Sequence, residues 1–133
     1  MEPSSNVKDF FISYTGVDVE WATWIAQQLE AAGYSTVYQA RDFHAGGVFP
    51  LQMDQAMRVT KRTIAVLTPE YLRSRYCAPE WAEAFRRDPT GEYAVLVPMR
   101  VRDCDLHGLF GARVYIDLVE VDVETKRTRL LST

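Results

Sequence analysis

The chain has 133 residues and a mass of 15.2 kDa, which corresponds to a single domain. With 47% hydrophobic and 25% charged residues it has the composition of an ordinary globular protein, and its net charge of -3 argues against a dedicated nucleic-acid-binding domain. Two cysteines and two histidines are too few and too scattered for a structural metal site, so we expect none. No apolar stretch approaches the about 18 residues of a membrane span, so we expect no membrane contact.

The two ends of the chain give a further expectation about its organisation. The N-terminus is polar and lacks the apolar stretch of a signal peptide, so residues 1–7 are predicted to be a flexible lead and the cytoplasm is the default location. Residues 8–133 are predicted to form one domain. The last helical pattern has barely begun where the chain stops, which favours the N-terminal part of a longer protein.

The first half of the chain alternates strand and helix signals. Phe10–Tyr14 is rich in β-forming residues and predicts a buried strand, and Asp18 follows as an expected helix N-cap. Gly33 is expected to end that helix in a left-handed conformation. Ser35–Gln39 predicts the second strand, and residues 40–49 a long loop. The helical spacing of the intervening segment is carried by Trp21, Trp24, Ile25, Leu29 and Ala32, with the tryptophans expected to pack on the helix face.

The second half continues the alternation. Thr68 and Pro69 predict the cap and first turn of a short helix directly after a nearly continuous apolar strand. The predicted elements are a helix from Pro50 with Met53, Ala56 and Met57 inward, strands over Thr63–Thr68 and Tyr93–Met99, a helix from Pro79, a fifth and less continuous strand around Val114, Ile116 and Leu118, and a last helix marked by Val123, Leu130 and Leu131.

Five short strands interleaved with helices predict an α/β fold. The right-handed crossover rule favours a flavodoxin-like three-layer sandwich with a parallel sheet in the order 2-1-3-4-5 and helices on both faces. Ligands of such sheets bind beyond the carboxyl ends of the strands, near the point where the strand order reverses. The sequence therefore predicts a site formed by the loops at residues 14–18, 40–49 and 69–80. A phospho-receiver domain shares this architecture but is excluded, because the acidic residues that it needs after the first and third strands are missing.

Several segments spread along the chain look like the motifs of one family. They are Lys8–Tyr14, an opening box; Arg41-Asp42-Phe43 with Gly46 and Phe49, a loop after the second strand; and Ser74–Trp81, a serine–cysteine–glutamate motif. Together they resemble the TIR (Toll/interleukin-1 receptor-like) domain over about residues 8 to 131. Asp88–Gly91, Leu96–Pro98 and Tyr115–Leu118 look like its bacterial members.

The resemblance implies two alternative functions. Many TIR domains cleave NAD+ at the nicotinamide–ribose bond, giving nicotinamide and ADP-ribose or a cyclic isomer, in bacteria as a defence against phage. Others are non-catalytic modules that bind other TIR domains, and self-association into oligomers or filaments is expected in both cases. The family's catalytic glutamate corresponds to Glu80, which follows Pro79 in the first turn of a predicted helix, where the helix dipole favours an ionised carboxylate. Without the resemblance, the sequence favours an ordinary solvated first-turn glutamate at Glu80.

The resemblance also supplies candidate binding residues for NAD+, which would be the substrate and not a bound cofactor. Thr15 and Gly16 fall close to the family's dinucleotide phosphates, where a tight turn before a helix can present backbone amides to a phosphate. The other candidates carried over are His44, Gly46, Phe49, Ser74 and Tyr76. Each also has a plain structural interpretation: a solvated histidine, a residue that packs against the next helix, a local cap or a packed aromatic ring. A nucleoside deoxyribosyltransferase-like enzyme stays open as a third reading, and the sequence leaves hydrolysis and cyclisation open.

Overall fold

A computed structural model describes residues 8–42, 55–56, 58–73, 96–104 and 115–131, and the structural statements below concern these residues. They form a five-stranded parallel sheet in the order β2-β1-β3-β4-β5, the flavodoxin-like order predicted from the sequence. The strands are β1 (Lys8–Ser13), β2 (Thr36–Val37), β3 (Thr60–Leu67), β4 (Leu96–Arg100) and β5 (Ile116–Asp117). The helices are α1 (Val19–Ala31), α2 (Gln39–Asp42), α3 (Pro69–Arg73) and α4 (Val123–Leu131), and a 3-10 turn at Gly16–Asp18 precedes α1.

The central strand β3 explains the apolar run that predicted it. Its last four residues, Ile64–Leu67, are completely buried, because β1 and β4 pair with its two edges and the chain covers both of its faces. Parallel pairing places Ser13 opposite Ala65. The ends of β1 and β3 therefore lie side by side, which brings the segments that follow them to the same edge of the sheet.

Helices α1 and α4 contact each other and supply part of the core. Ala22, Ile25 and Leu29 of α1 are buried, and Leu130 of α4 joins the same cluster. The predicted end of α1 is confirmed, because Gly33 has a φ of 99° and its amide donates to the carbonyl of Glu30. The next amide donates to the carbonyl of Leu29, which completes a Schellman motif.

The second strand differs from its prediction. Ser35–Gln39 was expected to be extended, but β2 covers only Thr36–Val37, and Gln39–Asp42 forms the helical turn α2. The physical reason is a local hydrogen bond, because the Asp42 carboxylate accepts the backbone amide of Tyr38 at 2.9 Å. The expected loop over residues 40–49 therefore does not begin at residue 40.

Other boundaries moved by a few residues. Strand β3 begins at Thr60, three residues before the prediction, and β5 is a two-residue edge strand. Gln55, Ala56 and Arg58 are helical, with Ala56 buried as expected. The predicted helix from Pro79, the start of the helix at Pro50, Met53, Met57 and the residues 93–95 lie outside the described residues. No helix in the described part is both long and apolar enough to cross a bilayer.

Candidate functional site

The turn after β1 lies at the point where the strand order reverses. Gly16 is exposed, and no described atom lies within 4 Å of the position that a Cβ on it would take. The backbone amides of Thr15 and Gly16 donate to no group among the described residues. Two unpaired amides at the start of a helical segment form a small positive site suited to an anion such as a phosphate.

The Thr15 side chain already makes a hydrogen bond within the chain. Its hydroxyl donates a hydrogen bond of 2.7 Å to Oδ2 of Asp18. A hydroxyl has one proton to donate, so Thr15 has none left for a phosphate oxygen. Any contact from Thr15 to an anion would therefore come from its backbone amide, while its hydroxyl oxygen could still accept a hydrogen bond from a sugar hydroxyl.

Asp18 is a buried carboxylate that joins three segments of the chain. It is 3% exposed, and its Oδ2 accepts hydrogen bonds from Thr15 and, at 2.8 Å, from the Thr68 hydroxyl at the end of β3. Its Oδ1 accepts a hydrogen bond of 2.8 Å from Arg102, which follows β4. We call Thr15, Asp18, Thr68 and Arg102 the Asp18 cluster.

The cluster corrects the role that the sequence suggested for Asp18. The residue occupies the N-cap position of α1, but its side chain makes no capping hydrogen bond. Its carboxylate instead turns toward Thr68 and Arg102, which lie 50 and 84 residues away along the chain. Sequence reasoning missed this role because nothing local to Asp18 signals partners so distant. The polar residues that follow β1, β3 and β4 were the only available hint.

The segment after β3 begins as predicted and is firmly held. The Thr68 hydroxyl oxygen accepts the Tyr71 amide at 3.1 Å, which confirms Thr68 as the cap of α3. The Tyr71 hydroxyl lies 3.0 Å from Oγ of Ser13, so a buried hydrogen bond joins α3 to the end of β1. Because α3 ends at Arg73, these contacts fix the point from which residues 74–80 depart.

The segment after β2 is fixed to the same edge. The Ala40 amide donates to the Tyr14 hydroxyl at 2.9 Å, and burial raises the pKa of Tyr14, so this hydroxyl stays neutral. Arg41 pairs with Glu30 at 2.6 Å and donates to the carbonyl of Thr36. These contacts tie the start of the loop after β2 to β1 and α1.

An open groove of about 740 Å³ runs along the other side of the Asp18 cluster. Trp21 and Trp24 of α1 meet edge to face across 6.2 Å and are half-buried against the core, as expected for helix-face packing. Lys126 of α4 lies 5.1 Å above the Trp21 ring. The remaining lining residues are Val17, Asp18, Glu20, Glu70, Arg102 and Val123.

Comparison with known families shows the family to which this chain belongs. The sequence model of the TIR domain matches residues 10–131, almost the whole chain. The chain belongs to the TIR domain family. The resemblance of its motifs to that family is therefore confirmed.

Solved structures agree with this TIR domain in fold. The TIR domain of the Toll-related receptor TRR-2 from Hydra magnipapillata is 24% identical, with 95% of this chain and 96% of that chain covered and a TM-score of 0.80. A TIR-STING receptor from C. gigas, solved with 2',3'-cGAMP, is 22% identical over 98% of this chain, with a TM-score of 0.77. This TIR domain spans 41% of that receptor chain.

A third similar structure comes from an assembled complex. The TIR domains of the activated Roq1 resistosome, which recognises the pathogen effector XopQ, are 20% identical, with 74% of this chain and 59% of that chain covered and a TM-score of 0.61. At these levels of identity all three structures show the fold of this TIR domain.

Of the candidate site residues, the structure describes Thr15 and Gly16, and it places both at the expected edge of the sheet. Glu80, His44, Gly46, Phe49, Ser74 and Tyr76 lie outside the described residues of this TIR domain, as do Cys77 and His107. In the part of the chain that is described, no three His, Cys, Asp or Glu side chains are grouped as a metal site would need.

Proposed function

We propose that this TIR domain is an NAD+ glycohydrolase that cleaves the nicotinamide–ribose bond and releases nicotinamide with ADP-ribose or a cyclic isomer. Glu80 is the proposed catalytic residue. The pyrophosphate is proposed to bind at the turn of Thr15 and Gly16, with His44, Gly46, Phe49, Ser74 and Tyr76 lining the rest of the site. NAD+ is the substrate, and the reaction calls for no further cofactor or metal.

The chemistry of NAD+ explains how a single carboxylate can serve. Hydrolysis of an ordinary glycoside uses two carboxyl groups, one of which protonates the leaving oxygen. Nicotinamide is already a cationic pyridinium in NAD+ and leaves as a neutral base, so the reaction needs no acid. A carboxylate held near the ribose favours the positive charge that develops on the sugar and orients its hydroxyls. Water or an adenine nitrogen then attacks the ribose carbon.

The observation that carries the proposal is the pair of amides of Thr15 and Gly16, which lie at the reversal of strand order and donate to no described residue. A dinucleotide bound there would have its negative charge beside the positive end of the turn. Helix α3, the last described element before Glu80, is held to the end of β1 at the same edge by the contact between Ser13 and Tyr71. That Glu80 reaches a ligand anchored at this turn is inferred from the family motif.

Self-association is part of the proposal. No described atom lies within 4 Å of a Cβ position on Gly16, and a neighbouring TIR domain could cover the bound dinucleotide. Other copies of a TIR domain are thus the expected partners, in the cytoplasm, and NAD+ depletion or a cyclic nucleotide signal in defence against phage is the proposed setting. The Roq1 resistosome shows TIR domains within an assembly.

The first prediction concerns Glu80. The Glu80→Gln variant keeps the size of the side chain but removes its negative charge, so we expect nicotinamide release to fall at least about 100-fold, the usual scale for loss of an electrostatic catalytic group. Protein tethered densely to vesicles through a terminal tag is mixed with NAD+, and nicotinamide is measured by chromatography. Mass spectrometry of the second product then separates hydrolysis from cyclisation.

Glu20→Gln is the matched control for this experiment. Glu20 is an exposed carboxylate of α1 that makes no ion pair with a described residue, so its variant should release nicotinamide at the wild-type rate. Equal activity of wild-type protein and a folded Glu80→Gln variant would show that Glu80 is not the catalytic residue.

The second candidate function is a non-catalytic TIR scaffold. It is favoured by the high structural similarity to the TIR domain of a Toll-related receptor from Hydra magnipapillata. A scaffold would self-associate on the vesicles and release no nicotinamide. The same measurement therefore distinguishes the two functions.

A further inference from the structure

We propose that Asp18 is a positioning residue that holds the turn of Thr15 and Gly16, the proposed site of the NAD+ pyrophosphate, against the start of α3 and the end of β4. The inference rests on the proposed function for its effect on rate. Its structural basis is independent, because it comes from the contacts of the Asp18 cluster.

The first step is the connectivity of the cluster. The Asp18 Oδ2 atom accepts hydrogen bonds from both Thr15, in the turn after β1, and Thr68, the cap of α3. One oxygen thus joins the proposed phosphate-binding turn to the start of α3. The Thr68 hydroxyl donates to Asp18 while its oxygen accepts the Tyr71 amide, so its hydrogen-bonding direction is fixed by both partners.

The second step is charge. A carboxylate that is 3% exposed is costly to bury unless it is paired, and Arg102 supplies the pairing charge through the 2.8 Å contact with Oδ1. The same nitrogen of Arg102 contacts Glu70 of α3 at 2.6 Å. Arg102 therefore ties the end of β4 to both Asp18 and α3, and the three segments become one unit.

The third step is that an amide cannot replace this carboxylate. Asp18 accepts hydrogen bonds at both oxygens. In Asp18→Asn, an oxygen left facing Thr68 would put the amide NH2 against the Arg102 guanidinium, donor to donor. The opposite orientation would put the NH2 against the threonine hydroxyls. Either way one side of the cluster is lost, and a displacement of about 1 Å in the position of a bound substrate can cost up to about 100-fold in rate.

The experiment compares Asp18→Asn, Thr68→Val and Thr68→Ser with the wild-type protein. Thr68→Val removes the hydroxyl with little change in shape, and Thr68→Ser retains it. Each variant is first shown to be folded by circular dichroism. Amide hydrogen exchange is then measured over residues 15–18 and 69–73, and kcat and KM for NAD+ are measured on vesicles.

We expect exchange in both segments to be faster in Asp18→Asn and Thr68→Val. We also expect kcat/KM of these variants to fall at least about tenfold, through kcat as well as KM. Thr68→Ser and the control Glu20→Gln should stay within about twofold of wild type, because both leave the hydrogen bonds of the cluster in place. If Asp18→Asn does not fold, the comparison of Thr68→Val with Thr68→Ser tests the same contact.

The outcomes separate this proposal from the proposed function. Unchanged exchange in the folded variants would overturn it, and so would faster exchange with unchanged kcat/KM, which would leave Asp18 a merely structural residue. If the wild-type protein releases no nicotinamide, the proposed function fails. Faster exchange in Asp18→Asn and Thr68→Val would then still support the conclusion that Asp18 holds residues 15–18 and 69–73 together.

Discussion

Tyr71 carries the largest side chain among the fully buried residues described, and its hydroxyl has a polar partner at the end of β1. The 3.0 Å contact with Ser13 is buried, so neither hydroxyl can exchange it for water. A buried hydrogen bond between β1 and α3 thus lies beside the candidate site.

A substitution at Tyr71 tests the energy of that contact. In Tyr71→Phe the Ser13 hydroxyl loses this partner while buried, so we expect the free energy of unfolding to fall by about 1–3 kcal/mol. Urea denaturation followed by circular dichroism measures it. The double variant Ser13→Ala/Tyr71→Phe should recover part of the loss because it leaves no hydroxyl stranded. A Tyr71→Phe protein with the wild-type urea midpoint would contradict this account.

The structural roles of some individual residues could be predicted from the sequence, and those of others could not. The cap at Thr68 and the left-handed Gly33 were predicted correctly, because each depends on neighbours within a few positions. Thr15 and Gly16 were placed at the right edge by the strand pattern. The role of Asp18 was not predictable, because its burial follows from three strands lying side by side, and a sequence does not display that proximity.

At the scale of elements, an ion pair adds to the backbone pairing that attaches β5 to β4. The strand has two residues, and Asp117 accepts a 2.8 Å contact from Arg100 of the neighbouring β4. This hydrogen bond is the main cause that lowers the pKa of Asp117, and it outweighs the opposing effect of burial. Arg129 of α4 donates to the Asp117 carbonyl, so the same strand also anchors the last helix.

The lowered pKa of Asp117 predicts a loss of stability in acid. Its folded-state pKa lies below the unfolded value of about 4, so the stabilisation is complete above about pH 4 and is lost as the pH falls through the folded value. Asp117→Asn removes this dependence. We expect its unfolding free energy to be lower than that of wild type at about pH 7, and the difference to shrink at about pH 3.

Urea unfolding of both proteins at the two pH values measures the effect. Asp103→Asn is the control, because Asp103 also contacts Arg100 but is 91% exposed, and such exposed pairs contribute little. An Asp117→Asn protein whose deficit is the same at both pH values would count against the ion pair as the source.

Element order was predictable and element length was not. The alternation of apolar strands with helical spacing is a property of each segment, and the crossover rule then leaves one probable order. Strand β2 ends where the Asp42 carboxylate accepts the Tyr38 amide, because this local hydrogen bond competes with continuation of the strand. The β-forming residues of the segment do not indicate that competition. The serine–cysteine–glutamate segment was found through family resemblance, since a single first-turn glutamate has no distinctive pattern.

At the scale of the whole molecule, the proposed function predicts that activity depends on concentration, because no described atom lies within 4 Å of a Cβ position on Gly16. If a second TIR domain completes the pocket, specific activity should follow the assembled fraction, and a 100-fold dilution in solution should lower nicotinamide release per mole by at least about tenfold. Turnover measured across the dilution series, with light scattering at each concentration, checks this. Constant specific activity would mean that one chain suffices.

The lengths of the outer strands constrain how such copies could meet. Both edge strands of the described sheet, β2 and β5, have two residues, whereas the central β3 has eight. An edge strand of two residues has few unpaired backbone groups with which another strand could pair, so β-augmentation is disfavoured. Polymers of this chain would then grow through side-chain surfaces, so that point substitutions and salt could adjust filament length while each subunit stays folded.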